Sequence, residues 1–210
     1  MQNLHFFHVH LCERLSLFYK TELRQNEARS RADKAEEPIM AMEIERKFLL
    51  PEYPEQLFQE GELKVLSEQM IDQTYLAIDG GEELRVRKLR DLRTGEVTYT
   101  HTYKNGKGIS REEIEYGISE GLYVQLTEAL RLIPLIKKRI TADWNGVTVE
   151  IDVYTQLELS VLEVEFDSLA EAEAFVPPDW FGRDVSEERQ YSNKVVWKAL
   201  QEQPSEQLPQ

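Results

Sequence analysis

Several short stretches of this chain carry like charges two residues apart. Glu43 and Glu45 precede Lys47, and Arg85 and Arg87 follow Glu83. Glu113 pairs with Glu115, Lys137 with Arg139, Glu150 with Asp152, and Glu163 with Glu165. In an extended strand, positions i and i+2 share a face, so each pair projects together. A solvated sheet face accounts for any one stretch taken alone. It does not account for their segregation, because adjacent like charges repel and a plain solvent face mixes signs. Closely spaced carboxylates want a divalent cation, and Asp and Glu oxygens are the ligands Mg²⁺ and Mn²⁺ prefer. Clustered Lys and Arg want phosphate, for which Arg offers a two-pronged fork. Acidic and basic strands in one sheet therefore describe a site for a metal–polyphosphate complex.

Such a site needs strands to carry it, and period-2 alternation recurs from Met42 onward. It predicts strands near 42–49, 71–78, 83–89, 96–104, 110–117, 136–143, 147–154 and 160–167. Asn145-Gly146 between two alternating runs predicts a hairpin with a type I′ turn. Helices are expected over Pro54–Ser67, Ser119–Leu132 with Ser119 as N-cap, Ser168–Val176 with a Ser168-x-x-Glu171 capping box, and Ser192–Leu200. Many antiparallel strands with few helices give a mainly β (α+β) protein, a closed barrel or a sandwich. If the sheet closes, its charged faces can line a polar tunnel while helices cover the apolar faces outside. Lys138 falls on the opposite strand face from Lys137 and Arg139 and is excluded from the site; Glu150, in register with Asp152, ranks below it.

Composition narrows the function classes. The chain has 210 residues, 25 Lys+Arg and 39 Asp+Glu, a formal net charge of -14, which argues against a nucleic-acid partner. No apolar run approaches the roughly 20 residues of a membrane-spanning helix. The lone Cys12 excludes a disulfide framework and suits a reducing, cytoplasmic setting. No P-loop, GxGxxG or Ser-His-Asp arrangement is present. Residues 1–41 read as a helical or disordered extension, an alternative being that Met42 is the initiator; residues 201–210 read as a disordered tail. The extension carries His5, His8 and His10, which lack the supporting groups that fix metal ligands. Apolar outer faces leave room for a homodimer.

The run Glu43-Ile44-Glu45-Arg46-Lys47, opening the domain, resembles the ExExK signature of the CYTH-domain or triphosphate tunnel metalloenzyme family. Glu83–Arg87, Lys104, Ser110–Glu115, Lys137–Arg139, Glu150–Val153, Leu162–Phe166 and Phe181-Gly182 through Lys194 are similar to that family in order and spacing. The resemblance covers about 42–200 and is nearest to the short bacterial inorganic triphosphatases. It implies an eight-stranded closed antiparallel β-barrel whose tunnel holds a triphosphate and one or two Mg²⁺ or Mn²⁺ ions.

Residue roles follow as expectations. Glu43, Glu45, Asp152, Glu163 and Glu165 would hold metal, and Glu113 and Glu115 a second ion or its water. Lys47, Arg85, Arg87, Lys104, Arg111, Lys137 and Arg139 would clamp the phosphate chain. Lys104 and Tyr75 are the candidate bases, Lys104 because an amine among many cations loses its proton more readily. The expected reaction is metal-dependent hydrolysis of a small-molecule triphosphate, inorganic tripolyphosphate above all. Adenylate cyclase, thiamine triphosphatase, and a non-catalytic polyphosphate- or nucleotide-binding module are the alternatives.

Overall fold

The computed structural model describes residues 39–107 and 109–202. The expected terminal extension and tail fall almost wholly outside that range, as do His5, His8, His10 and Cys12. Nine strands follow one another as β1 (Ile39–Leu49), β2 (Leu63–Asp79), β3 (Glu82–Asp91), β4 (Val97–Lys107), β5 (Ser110–Gly117), β6 (Leu135–Trp144), β7 (Val147–Tyr154), β8 (Ser160–Glu165) and the two-residue β9 (Arg183–Asp184). Among the described residues four α-helices join them: α1 (Glu55–Glu60), α2 (Glu120–Leu130), α3 (Leu169–Ala174) and α4 (Asn193–Gln201). None is long and apolar enough to cross a membrane.

The sheet runs β5-β4-β3-β2-β6-β7-β8-β1, and a β1–β5 pairing closes it into an eight-stranded antiparallel barrel. β1 is the closing strand. Residues 39–44 pair with β5, and residues 45–49 with β8. Asn145 and Gly146 turn the β6–β7 hairpin with φ of 52° and 85°, the positive values a type I′ turn needs. Ser119 and Ser168 cap α2 and α3, accepting hydrogen bonds from the amides of Leu122 and Glu171.

The helix expected over Pro54–Ser67 is corrected. Only Glu55–Glu60 is helical, and Gly61 ends it in the left-handed region at φ 78°. Leu63 then opens a 17-residue strand, whose register slips between Val65 and Ser67 against β6. That bulge sets Val65 and Leu66 side by side and breaks the alternation by which a strand is recognised.

Much of the hydrophobic core lies outside the barrel wall. Phe48, Ile140, Ala142, Val149, Ile151, Leu162 and Val164 pack outward against Leu57, Phe58, Phe175, Trp180 and Phe181 from α1, the end of α3 and the segment after it. Gly182, at φ 77°, lets that segment cross the end of β1, where a Cβ would lie 2.3 Å from the Leu49 carbonyl. A second cluster closes one end of the barrel: Tyr75, Leu135, Tyr154 and Val161 meet Val196, Trp197 and Leu200 of α4.

Candidate functional site

Cross-strand partners share a face, so the register shows what meets inside the barrel. Glu43 stands opposite Arg111, Lys47 opposite Glu163, Glu83 and Glu113 on either side of Lys104, Arg139 opposite Asp152, and Tyr75 opposite Arg85. Two pairings set carboxylate against carboxylate, Glu45 against Glu165 and Glu150 against Glu163. A cavity of about 430 Å³ results. Its wall holds Glu43, Glu45, Lys47, Tyr75, Arg85, Arg87, Lys104, Arg111, Arg139, Glu163 and Glu165 from among the expected site residues. Glu150, ranked lower in the sequence, is also on the wall.

Acid and base rows interlock here. Lys47 reaches Glu163 at 2.7 Å, and Arg139 reaches the same carboxylate at 2.8 Å as well as Glu150. Although burial opposes it, Lys47 and then Arg139 hold the Glu163 carboxyl well below the usual carboxylate range. Lys104 lies between Glu43 and Glu113, 2.5 Å from the latter, and Arg111 meets Glu45. Arg87 donates to Gln73 at 3.2 Å and approaches Glu115 at 3.3 Å.

Two features do not balance. Glu165 has no ion-pair partner among the described residues, and burial, together with Glu150, Glu43 and Glu45, pushes its carboxyl up to about 7. Arg85 is 3% exposed, yet its Nε and Nη2 lack hydrogen-bond partners among the described residues, as does Nε of Arg111. The nearest carboxylate to Arg85 is that of Glu113, at 3.5 Å. The cavity thus offers an unneutralised carboxylate on one wall and unspent guanidinium donors on another.

Several expected placements are corrected. Asp152 is fully buried behind the cavity, its carboxylate taken by Lys137 and by both prongs of Arg139. Lys137, 1% exposed, lies beside it and is equally off the wall; burial first and Arg139 second lower its pKa. Glu113 and Glu115 sit behind the cations they pair with, off the cavity wall. Tyr75 lies on the cavity wall, where burial raises its phenol pKa far above the ordinary value, and it packs against Trp197 at 5.3 Å between ring centres. Lys104 lies between the carboxylates of Glu43 and Glu113 and not among cations. Lys138 faces outward and pairs with Glu68 at 2.6 Å.

Sequence reasoning missed the strap from Val185 to Val195, which lines one side of the cavity. Ser186 accepts from the Lys47 amide at 2.9 Å, Asn193 accepts from Tyr154, and Lys194 reaches Glu83 at 2.5 Å. Its signals in the sequence are the likeness of Phe181-Gly182 through Lys194 to the family and the helix expected from Ser192 onward; no period-2 pattern marks residues 185–191.

A closed antiparallel barrel that turns its charged rows inward and most of its hydrophobic residues outward, with α4 filling one end, encloses a charged chamber. The CYTH domain profile matches residues 41–194, and the chain belongs to that family. It is 35% identical over 158 residues to an inorganic triphosphatase of Nitrosomonas europaea, covering 73% of this chain and 95% of that protein. An inorganic triphosphatase of Acetivibrio thermocellus is 31% identical over 160 residues, or 76% of this chain and 95% of the relative. The crystal structure of the inorganic triphosphatase NE1496 superposes with a TM-score of 0.52 at 32% identity, covering 75% of this chain and 95% of that one.

Proposed function

We propose that this protein hydrolyses a small linear phosphate anhydride, inorganic tripolyphosphate, with Mg²⁺ or Mn²⁺ as cofactor. The observation that carries this reading is the buried Arg85 on the cavity wall, whose Nε and Nη2 are unspent among the described residues, with the half-buried Arg111 beside it leaving its Nε free. Burying such a group without a partner is costly, and a phosphate oxygen is the acceptor whose charge and shape match it. The two relatives named as inorganic triphosphatases, each covered over 95% of its length, support the same substrate.

The carboxylates fit a divalent cation by chemistry and by charge. Among the described residues no three or more acidic, His or Cys side chains are gathered as a ready-made metal site. Yet Glu45 faces Glu165 directly, and Glu165 has no ion-pair partner among the described residues. Glu165 and Glu45, with Glu43, Glu150 and Glu163 beside them, are the residues that would hold the ion. When bound, a divalent cation neutralises charge on the transferring phosphoryl group and polarises the attacking water. The chain's own groups supply the rest. Lys47, Arg85, Arg87, Arg111 and Arg139 bind and align the phosphate chain, which is most of what phosphoryl transfer asks of a protein. Trp197, Leu200 and the apolar residues they cover keep water out of one end.

The test is phosphate release from tripolyphosphate, thiamine triphosphate, ATP and pyrophosphate, each with and without EDTA. Release from tripolyphosphate that EDTA abolishes is the expected result. Cyclic AMP from ATP would make the protein a cyclase, and tight tripolyphosphate binding without turnover would make it a binding module; either overturns the proposal.

A further inference from the structure

The residue that the register puts opposite Arg139, Asp152, does not reach the cavity. Its side chain is completely buried, and both oxygens are occupied. Oδ1 accepts from Arg139 Nε at 2.7 Å, and Oδ2 accepts from Arg139 Nη2 at 2.7 Å and from Lys137 Nζ. This is a two-pronged clasp on a planar guanidinium, which fixes the plane as well as the position of the fork. From that clasp, Arg139 reaches forward onto the cavity wall, Nη2 to Glu163 at 2.8 Å and Nη1 to Glu150. Glu150 and Glu163 stand directly opposite one another and would repel without a cation between them. Asp152 therefore lies off the cavity wall with cations on both of its oxygens, and those cations need an anion behind them.

We propose that Asp152 is a positioning residue for tripolyphosphate binding, acting through Arg139, and not a metal ligand. The proposal rests on the triphosphate reading of the cavity. Asp152 sets the direction of the Arg139 fork, so that one guanidinium separates two opposed carboxylates and presents a charged edge to a phosphate oxygen. Lys137 is held by the same carboxylate and balances its charge in the dry interior. A carboxylate at this depth serves geometry: a displacement of about 1 Å in a group that orients substrate costs on the order of 10²-fold in rate.

The test compares Asp152→Asn, Arg139→Lys and the double variant with the full wild-type chain. Steady-state kinetics on tripolyphosphate are read against Mn²⁺ concentration, and tripolyphosphate binding is read by titration calorimetry in EDTA. A positioning role predicts that Asp152→Asn weakens tripolyphosphate binding without metal by at least about tenfold, short of the full misplacement penalty. It leaves the Mn²⁺ concentration for half-maximal activity unchanged. In the Arg139→Lys background the same substitution adds little, since the fork it steers is gone. If Asp152→Asn instead raises the Mn²⁺ requirement and leaves metal-free binding intact, or if the two substitutions add independently, the proposal is overturned. Should Asp152→Asn fail to fold, Arg139→Lys decides alone: it keeps the charge and loses the fork, and unaltered metal-free binding would refute the role. Wild-type protein that neither binds nor turns over tripolyphosphate would sink the triphosphate reading itself, a different result from any of these.

Discussion

The inside and the outside of this barrel obey opposite rules. Outside, Phe48, Ile151, Leu162 and Phe181 are wholly buried, packed under α1, α3 and the aromatic segment around Trp180. Inside, Lys47, Glu83, Arg85, Lys104, Lys137, Asp152 and Glu163 are nearly as buried and carry charge. Apolar burial stabilises by roughly 25 cal/mol per Å² removed from water. Buried ion pairs often return no more than their desolvation costs, and unpaired donors return less. The coat therefore holds the fold, while the lumen is kept for what it binds. Neighbouring residues on β1 show the contrast. Arg46 points outward, donates to the carbonyls of Ala172 and Phe175 and pairs with Asp184 at 2.6 Å, pinning α3 and β9 to the wall. Lys47 points inward to Glu163.

If that division is right, substitutions on the two sides separate stability from activity. The largest effect on stability belongs to the coat. Phe48→Ala removes a wholly buried ring that meets Phe181 edge-on at 5.1 Å, and should cost about 3–5 kcal/mol in a denaturant titration. The largest effect on activity belongs to the lumen. Arg85→Met should lower kcat/KM for tripolyphosphate by roughly 10²–10³-fold. It also removes buried donors that lack hydrogen-bond partners among the described residues, at the loss of a 3.5 Å contact to Glu113, so the thermal midpoint should hold or rise, by about 2–4 °C for each ~1 kcal/mol gained. A fall in both properties would erase the distinction between coat and lumen. Arg46→Ala comes next, costing about 1–3 kcal/mol through the two carbonyls it leaves unpaired, with kcat/KM unaltered because it faces away from the cavity. A large loss of activity with Arg46→Ala would mean that coat and lumen are mechanically coupled.

The coat and the charged rows were both legible in the sequence, because strand alternation names a residue's face whatever the partner. Alternation also put Glu43, Glu45 and Lys47 together on the face that the barrel turns inward. What it does not name is depth along the axis. Asp152 and Glu150 share a face two residues apart, yet Glu150 borders the cavity and Asp152 lies behind it. That difference is set by strand stagger and by α4, which fills one end with Trp197 and Leu200. Partners were equally hidden. Lys104 has cations near it in sequence and carboxylates near it in space, because its neighbours on β1 and β5 arrive from 61 residues upstream and a hairpin downstream. The second half of β2 was legible as the strand near 71–78; its first half was not, for a local reason: the bulge at Val65 to Ser67 spoils the one pattern by which strands are read.

The smallest expected effect tests the lumen's charge balance directly. Glu165 stands in the folded protein with its carboxyl raised from an ordinary 4.5 to about 7, by burial and by Glu150, Glu43 and Glu45. Between those two values the folded state binds more protons at this site than the unfolded chain, so this contribution to stability falls as pH rises. It is fully present below the lower value and lost by the upper one. In EDTA, the thermal midpoint of the wild type should therefore drop, relative to that of Glu165→Gln, as pH increases from about 4.5 to about 7. A divalent cation competes with that proton, so adding Mg²⁺ or Mn²⁺ should flatten the wild-type slope and leave the variant's unchanged. Differential scanning at a series of pH values measures both. Parallel profiles for the two proteins in EDTA would show that the carboxylates across the β1–β8 seam do not repel, and that the lumen has no charge deficit for a metal to fill.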